Sequence, residues 1–366
     1  MQITACRTHL MKLPLARPIT PGTKGTTRPT LDSVFVLVVD LETDAGQRGL
    51  GYAWSVQGGG RAMKLIVDDD LAPAIIGEDP LDHERMWLKL YWHVQSIGRR
   101  GLVMQAQSAI DLAVWDLKGK AAGMPVWKLL GGARSSAAVY WSDGGWLWMS
   151  VDEILRDAEE RLAQGMHGIK LKVGQPDPRV DLQRVRAVRK ALGDDAWIAV
   201  DANQKWDFDT ALRMGREFEE LRLAWFEEPL SCEDVDGHAR LADALDIPIA
   251  LGETLQSRHE FVPYLRADAV DIVQPDLTRV GGLTEFLKIA ALAEAAHRPV
   301  APHLMMEASV HLACGLPGVT LIEYMPWLTS VFTEPLRLDR GRMLPPSSPG
   351  LGLEPSADVL RRYEVV

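Results

Sequence analysis

The chain has 366 residues, 47% of them hydrophobic and 25% charged, and its formal net charge at pH 7 is −10. This length exceeds that of most single cores and predicts two domains, while the composition is that of an ordinary globular protein. The acidic balance argues against nucleic acid as a main partner, because nucleic acid selects a basic surface.

The sequence also gives no sign of a membrane or export segment. No apolar run approaches the roughly 20 residues of a membrane-spanning helix. The first residues lack the basic region and apolar core of a signal peptide. We therefore expect a cytoplasmic protein with no membrane partner.

The first 130 residues predict an α+β unit. Residues 34–41 and 49–54 have the composition of strands joined by a turn at 44–47. Residues 19–30 are polar, rich in Pro and Gly and without a period, which predicts a loop. Residues 102–121 place apolar side chains at three- and four-residue spacing and predict a helix. Strands followed by helices indicate a unit separate from the rest of the chain.

Residues 131–330 repeat one structural unit. From Lys172 onward, the polar residues that end successive apolar segments are separated by 29, 26, 26, 23, 27 and 20 residues. One strand and one helix with their loops need about that much chain, roughly 30 residues for a βαβ unit. Continuous apolar strands of this kind are covered on both faces, which allows a parallel barrel or a doubly wound sheet. Seven or eight strands favour a modified (β/α)₈ barrel of the TIM type. Residues 331–366 lose the repeat and are predicted to return to the N-terminal unit.

Three consecutive strands of this barrel end in carboxylates. They are Asp201, Glu227 and Glu253. Because the carboxyl ends of barrel strands meet at one face, the three side chains should converge, and three ionised carboxylates there require a cation. A site made only of oxygen ligands selects a hard ion such as Mg²⁺.

The strands on either side of these carboxylates carry proton-transfer groups. Lys170 and Lys172 alternate along the second strand, so both can face the barrel mouth. His303 ends the seventh strand, Asp276 ends the sixth beside it, and Glu323 ends the eighth. A substrate held by the metal would have Lys172 on one side and His303 on the other. We expect nearby cations to lower the pKa of Lys172, Asp276 to orient His303, and Glu323 to contact an oxyanion.

Together these groups predict abstraction of a proton from the carbon next to a carboxylate, with charge building on oxygen. A Lys or His base with Mg²⁺ is the pattern of the enolase superfamily. The sequence resembles the mandelate racemase subgroup of that superfamily over nearly its whole length. The resemblance rests on K-x-K at 170–172, D-x-N at 201–203, E-E-P at 227–229 and G-E at 252–253, with Asp276, His303 and Glu323.

The resemblance implies a ligand set and roles. Asp201, Glu227 and Glu253 would hold Mg²⁺, and Lys170 would face the substrate carboxylate. It also implies that residues 1–130 form a capping domain whose loop at 19–30 covers the substrate. Family members often form symmetric oligomers, so a homo-oligomer is expected. Longer stretches, such as residues 169–177 and 200–206, are similar to acid-sugar dehydratases of the talarate/galactarate type.

Three functions remain open from the sequence. The first is dehydration of a sugar acid to a 2-keto-3-deoxy acid, with a diacid or a monoacid as substrate. The second is racemisation or epimerisation of a 2-hydroxy acid, which needs the same lysine and histidine. The third is a barrel kept only for binding, which the complete set of groups disfavours. The polar loop favours a polyhydroxy substrate. Residues predicted to contact that substrate are Asn203, Lys24, Arg28 and Trp141.

Overall fold

A computed structural model describes residues 1–19, 30–56 and 58–365. The strands are β1 (Ile3–Ile19), β2 (Leu31–Thr43), β3 (Arg48–Ser55), β4 (Ala137–Trp141), β5 (Gly168–Lys172), β6 (Trp197–Asp201), β7 (Phe226–Glu227), β8 (Ile249–Leu251), β9 (Ile272–Val273), β10 (Leu321–Tyr324), β11 (Arg337–Asp339) and β12 (Arg342–Leu344). The α-helices are α1 (Gly60–Leu65), α2 (Ala72–Ile75), α3 (His83–His93), α4 (Leu102–Ala121), α5 (Val126–Leu129), α6 (Val151–Ala163), α7 (Pro178–Leu192), α8 (Phe208–Glu219), α9 (Val235–Ala244), α10 (Arg258–Arg266), α11 (Leu283–Ala295), α12 (Met306–Gly315) and α13 (Ala357–Tyr363). A π-helical segment, Ile66–Leu71, joins α1 to α2, and a 3₁₀ helix spans Pro326–Val331.

The N-terminal unit is a three-stranded antiparallel sheet, β1–β2–β3, covered by helices. Its longest helix, α4, lies directly on β3. Gly51 makes this approach possible, because a Cβ atom there would collide with the carbonyl oxygen of Ala109 on α4. The close fit buries apolar residues of both elements, among them Ala53, Ile110 and Ala113. Glycine in the middle of a strand is otherwise unfavourable, so its use here reflects close packing.

Strands β4 to β10 form a closed parallel barrel. Strands β4 to β9 pair in chain order, and β10 pairs with β4. The seventh strand position is reduced to single bridges, at Val300 with Val273 and Val319 and at His303 with Asp276. Pro299 and Pro302 flank this position and lack the N–H that a regular ladder requires. The predicted barrel is confirmed, with a seventh strand shorter than expected.

The last barrel unit departs from the repeat. Strand β10 is followed by the 3₁₀ helix and the β11–β12 hairpin, and β12 pairs antiparallel with β4. The chain then returns to the N-terminal sheet, where the Val365 N–H donates to the Leu10 carbonyl at 2.7 Å. Glu364 also forms a bridge with Met11. The domain boundaries at residues 130 and 330 remain predictions from the sequence.

One large apolar cluster joins the two units. It contains Tyr52 and Trp54 of the N-terminal sheet together with barrel residues such as Val139 and Ile322. The sheet is therefore packed against the barrel. Within the described ranges, no helix is both long enough and apolar enough to cross a membrane.

Candidate active site

Three acidic side chains meet at the carboxyl ends of neighbouring strands. Asp201 ends β6, Glu227 ends β7 directly beside it in register, and Glu253 follows β8 by two residues. One oxygen from each lies within 4.8 Å of the others. The side chains of Asp201 and Glu227 are 0% and 1% exposed, and that of Glu253 is 12% exposed. The convergence predicted from the sequence is present.

The donor set fits a magnesium ion. All three candidate ligands are carboxylates, which Mg²⁺ prefers, and their number leaves room for water and substrate oxygens. The Oε2 atom of Glu253 is buried and has no hydrogen-bond partner among the described residues. Nε2 of His303 lies 3.3 Å from this oxygen without a hydrogen bond between them, so a metal ion would add a direct ligand contact to a carboxylate oxygen that is costly to bury.

Glu227 is held from two directions. Its Oε2 atom accepts hydrogen bonds from the indole N–H of Trp225 at 3.0 Å and from the Gln274 amide at 2.9 Å. Its Oε1 atom lies 2.7 Å from Nζ of Lys170. Burial raises the pKa of Glu227 to about 7, with the Lys170 ammonium opposing the rise and Asp201 adding to it. The orientation of Glu227 is therefore fixed by the protein.

Lys170 is fully buried between acidic groups. Its Nζ atom contacts Oε1 of Glu227 and, at 2.8 Å, Oε1 of Glu323. Burial opposes the charge, but the carboxylates outweigh it and hold the pKa of Lys170 well above its usual value. Despite its own burial, Glu323 has its pKa lowered by Lys170, and it accepts the Leu304 N–H at 3.0 Å. Glu323 is thus an ionised acceptor here.

Lys172 forms an ion pair with Oδ2 of Asp201. Burial lowers the pKa of Lys172, but the Asp201 carboxylate outweighs burial and the pKa is raised overall. The neighbouring Lys170 ammonium lowers the pKa of Lys172, as expected for a nearby cation, but its effect is smaller than that of Asp201. A lysine stabilised in its charged form is a poor base, so a positive charge bound by Asp201 would favour proton acceptance by Lys172.

His303 lies at the end of the carboxylate triad opposite Lys172. Its Nδ1 atom lies 2.7 Å from Oδ2 of Asp276, and its Nε2 atom lies 3.3 Å from Oε2 of Glu253. Asp276 is itself held by the backbone N–H groups of Thr278 and Arg279 at 2.7 and 3.1 Å. Burial opposes protonation, but Glu253 and Asp276 raise the pKa of His303 overall. Lys172 and His303 thus contact different members of the triad.

The residues predicted to bind substrate have different placements. Asn203 lies at the site, where its backbone N–H donates to Oδ1 of Asp201 at 2.8 Å. Trp141 is 4% exposed, and its indole N–H donates to Asp157 of α6 at 2.8 Å. Because side chains alternate along β4, Tyr140 points into the barrel and Trp141 points to the helices. This placement gives no support to substrate contact by Trp141. Lys24 and Arg28 lie outside the described residues.

Several side chains around the site were not singled out from the sequence. Trp225 and Gln274 stand two residues before Glu227 and Asp276, and such spacing puts them on the same strand face, so this signal was available. The ring of Tyr140 lies below Lys170, 5.7 Å from Nζ. Trp54, from the N-terminal sheet, lies beside His303 with ring centroids 6.1 Å apart. No local pattern identifies Trp54, because only the packing of the two units brings it there.

A closed βα barrel with three carboxylates between a lysine and a histidine defines a metal-dependent enzyme that moves a proton next to a carboxylate. Residues 153–359 match the family described as enolase C-terminal domain-like. Residues 12–131 match the mandelate racemase/muconate lactonizing enzyme N-terminal domain. The chain belongs to this family of the enolase superfamily.

The known relatives include several sugar-acid enzymes. L-talarate/galactarate dehydratase of Salmonella typhimurium is 43% identical over 350 residues, covering 95% of this chain and 88% of the relative. The 3,6-anhydro-alpha-L-galactonate cycloisomerase of Streptomyces coelicolor is 36% identical over 364 residues, covering 99% of each. The crystal structure of L-talarate dehydratase from Polaromonas, complexed with Mg and L-glucarate, has a TM-score of 0.94 and 44% identity. It covers 100% of this chain and 98% of that one.

Proposed function

We propose that this protein is a Mg²⁺-dependent acid-sugar dehydratase that acts on a diacid of the talarate/galactarate type. The observation that carries the proposal is a proton-transfer group at each end of one carboxylate triad, with Lys172 on Asp201 and His303 on Glu253. The similarity to L-talarate/galactarate dehydratase along 95% of the chain supports the substrate class.

Asp201, Glu227 and Glu253 would hold Mg²⁺, which supplies positive charge for the substrate carboxylate when bound. Lys170 lies in the same cluster and adds a second fixed positive charge, while its own position is fixed by Glu227 and Glu323. Lys170 would stabilise the negative oxygen that develops when the neighbouring carbon loses its proton, and Mg²⁺ would add its charge to the same group. Lys170 is held in place before the reaction by its two carboxylate partners, so little reorganisation is needed.

The reaction then requires two proton transfers. Whichever of Lys172 and His303 faces the α-hydrogen accepts it as a proton, and the C–H electron pair moves toward the carboxylate to give an enediolate. The C–O bond at the β-carbon then breaks, and a protonated acid group donates to the departing hydroxyl, releasing water. The resulting enol tautomerises to a 2-keto-3-deoxy acid. Asp276 keeps His303 oriented for either role and stabilises its charged form.

The experiment is a screen of sugar diacids and monoacids with Mg²⁺, using semicarbazide to detect 2-keto acids in the ultraviolet. The proposal expects semicarbazone formation from a diacid such as galactarate. Optical rotation that changes while no keto acid forms would instead identify a racemase or epimerase, which uses the same two groups. No keto acid and no exchange of the α-hydrogen in D₂O with any substrate would overturn an enzymatic role.

The cytoplasmic location and the homo-oligomer expected from the sequence complete this proposal. Size-exclusion chromatography with light scattering tests the second. A mass equal to one chain, 40.5 kDa, would contradict it.

A further inference from the structure

Lys205 is a lysine near the site that none of the predicted roles uses. It follows β6 in the loop that begins at Asn203 and Gln204, whose φ angles of 42° and 64° turn the chain sharply. Its backbone N–H is fixed by the carbonyl of Ala202 at 3.2 Å. The loop therefore starts at the strand end that carries Asp201 and returns Lys205 to the same side of the barrel.

The stem of Lys205 lies across the neighbouring loop. Gly174, two residues after Lys172, has a φ of 108°, and a Cβ atom there would collide with Cδ of Lys205. It would also lie 3.1 Å from Cβ of Lys205. Because Lys172 and Asp201 are register partners on β5 and β6, this contact places Lys205 above the strand pair that carries them. The half-buried side chain is thus at the mouth of the site.

The ammonium of Lys205 has no hydrogen bond or ion pair with the residues that the structure describes. The carboxylates that influence it electrostatically are already bonded. Asp201 pairs with Lys172 and Lys170, and Asp181 accepts the N–H groups of Gly174 and Gln175 at 2.8 and 2.7 Å. Burial lowers the pKa of Lys205 to about 8, so the side chain is protonated at neutral pH. Among the described residues this half-buried cation has three N–H donors and no acceptor, so an anionic ligand group would complete its contacts.

We infer that Lys205 binds the second carboxylate of a dicarboxylate sugar substrate, and so selects diacids over monoacids. This inference rests on the proposed function, since it adds a subsite to that reaction. A dianion approaching a chain of net charge −10 needs local positive charge at both of its ends. Lys170, and the metal ion that the triad would hold, would serve the reacting carboxylate, and Lys205 would serve the distal one.

The test compares galactarate with galactonate, which has a hydroxymethyl group in place of the second carboxylate. Lys205→Gln should raise KM for galactarate about tenfold, the usual effect of losing a hydrogen-bonded charge contact, and change kcat little. KM for galactonate should stay within about twofold, and Lys205→Arg should restore most of the preference. Lys190→Gln, which removes an exposed lysine of α7, controls for overall charge.

The same comparison by calorimetry separates this inference from the proposed function. Binding of both sugar acids to the Mg²⁺-loaded parent and variant requires no turnover. If the parent forms no keto acid yet binds galactarate more tightly than galactonate, and Lys205→Gln removes that preference, the subsite stands and the dehydratase assignment fails. If Lys205→Gln weakens both ligands equally, or neither, the inference is overturned.

Discussion

The hydrogen bonds to Glu227 allow the metal site to be tested without altering any proposed ligand. Trp225 is 3% exposed, and its indole N–H is one of two donors to Oε2 of Glu227. Trp225→Phe keeps an aromatic ring in the core and removes only that donor and part of the ring volume. A hydrogen bond to a charged group contributes about 1.5–3 kcal/mol. Gln274 still holds the same oxygen, so the lower part of that range is expected.

That free energy corresponds to a loss of Mg²⁺ affinity of about 10-fold and at most 100-fold, the effect usual for groups that orient metal ligands. Isothermal titration of the metal-free protein with Mg²⁺ measures it directly. Trp197→Phe is the matched control, because Trp197 packs on Trp225 with ring centroids 4.8 Å apart and has no bond to a ligand carboxylate. Equal changes in Kd for both variants, or a change below twofold for Trp225→Phe, would refute the reasoning.

Three further predictions concern the metal, the dyad and the scaffold. EDTA should abolish keto-acid formation and added Mg²⁺ should restore it, because the triad offers only oxygen ligands. Asp276→Asn should lower kcat about 100-fold or more while Mg²⁺ affinity stays within about threefold, because the amide no longer stabilises the His303 imidazolium. Burial lowers the pKa of His311 to about 4, although its Nε2–H donates to the Leu351 carbonyl. A depressed histidine pKa means that stability is lost as pH falls from about 6.5 toward 4. When the pH is lowered from 8 to 5, the free energy of unfolding should therefore fall by about 2 kcal/mol less in His311→Gln than in the parent. Urea unfolding at the two pH values measures this difference.

Each of these has an outcome that contradicts it. Activity that survives EDTA would mean that the reaction does not depend on Mg²⁺. An Asp276→Asn variant with normal kcat would mean that His303 needs no acidic partner. Parallel urea stabilities of the parent and His311→Gln at both pH values would mean that His311 titrates normally in the folded protein.

Much of the barrel could be predicted because its signal repeats. Polar residues at matched ends of apolar segments predicted both the parallel strands and the edge where Asp201, Glu227 and Glu253 meet. The short seventh strand could not be predicted from periodicity, because a proline directly before His303 is also common where an ordinary strand ends. Whether Pro302 disrupts the pairing depends on which backbone N–H groups the neighbouring strands require as donors.

The face of each strand was harder to assign than its existence. The position of Trp141 near the first barrel loop predicts a place at the site, but Tyr140 occupies the inward position and Trp141 bonds to Asp157 of α6. For two adjacent aromatic residues, the composition does not show which side chain faces the barrel interior. The pairing of Tyr140 with Glu323 on β10 decides this in the structure. Lys205 had no sequence signal, since its position depends on a left-handed turn and on the absence of a side chain at Gly174.

The central claim is that Lys172 and His303 serve opposite ends of one site. Its most direct test measures exchange of the α-hydrogen in D₂O by proton NMR, with Mg²⁺ and galactarate or talarate, for Lys172→Ala and His303→Asn. We expect each variant to lose dehydration of a substrate that needs both groups. Each should still exchange the α-hydrogen of whichever substrate presents it to the remaining group. Full dehydration by either variant would contradict the claim.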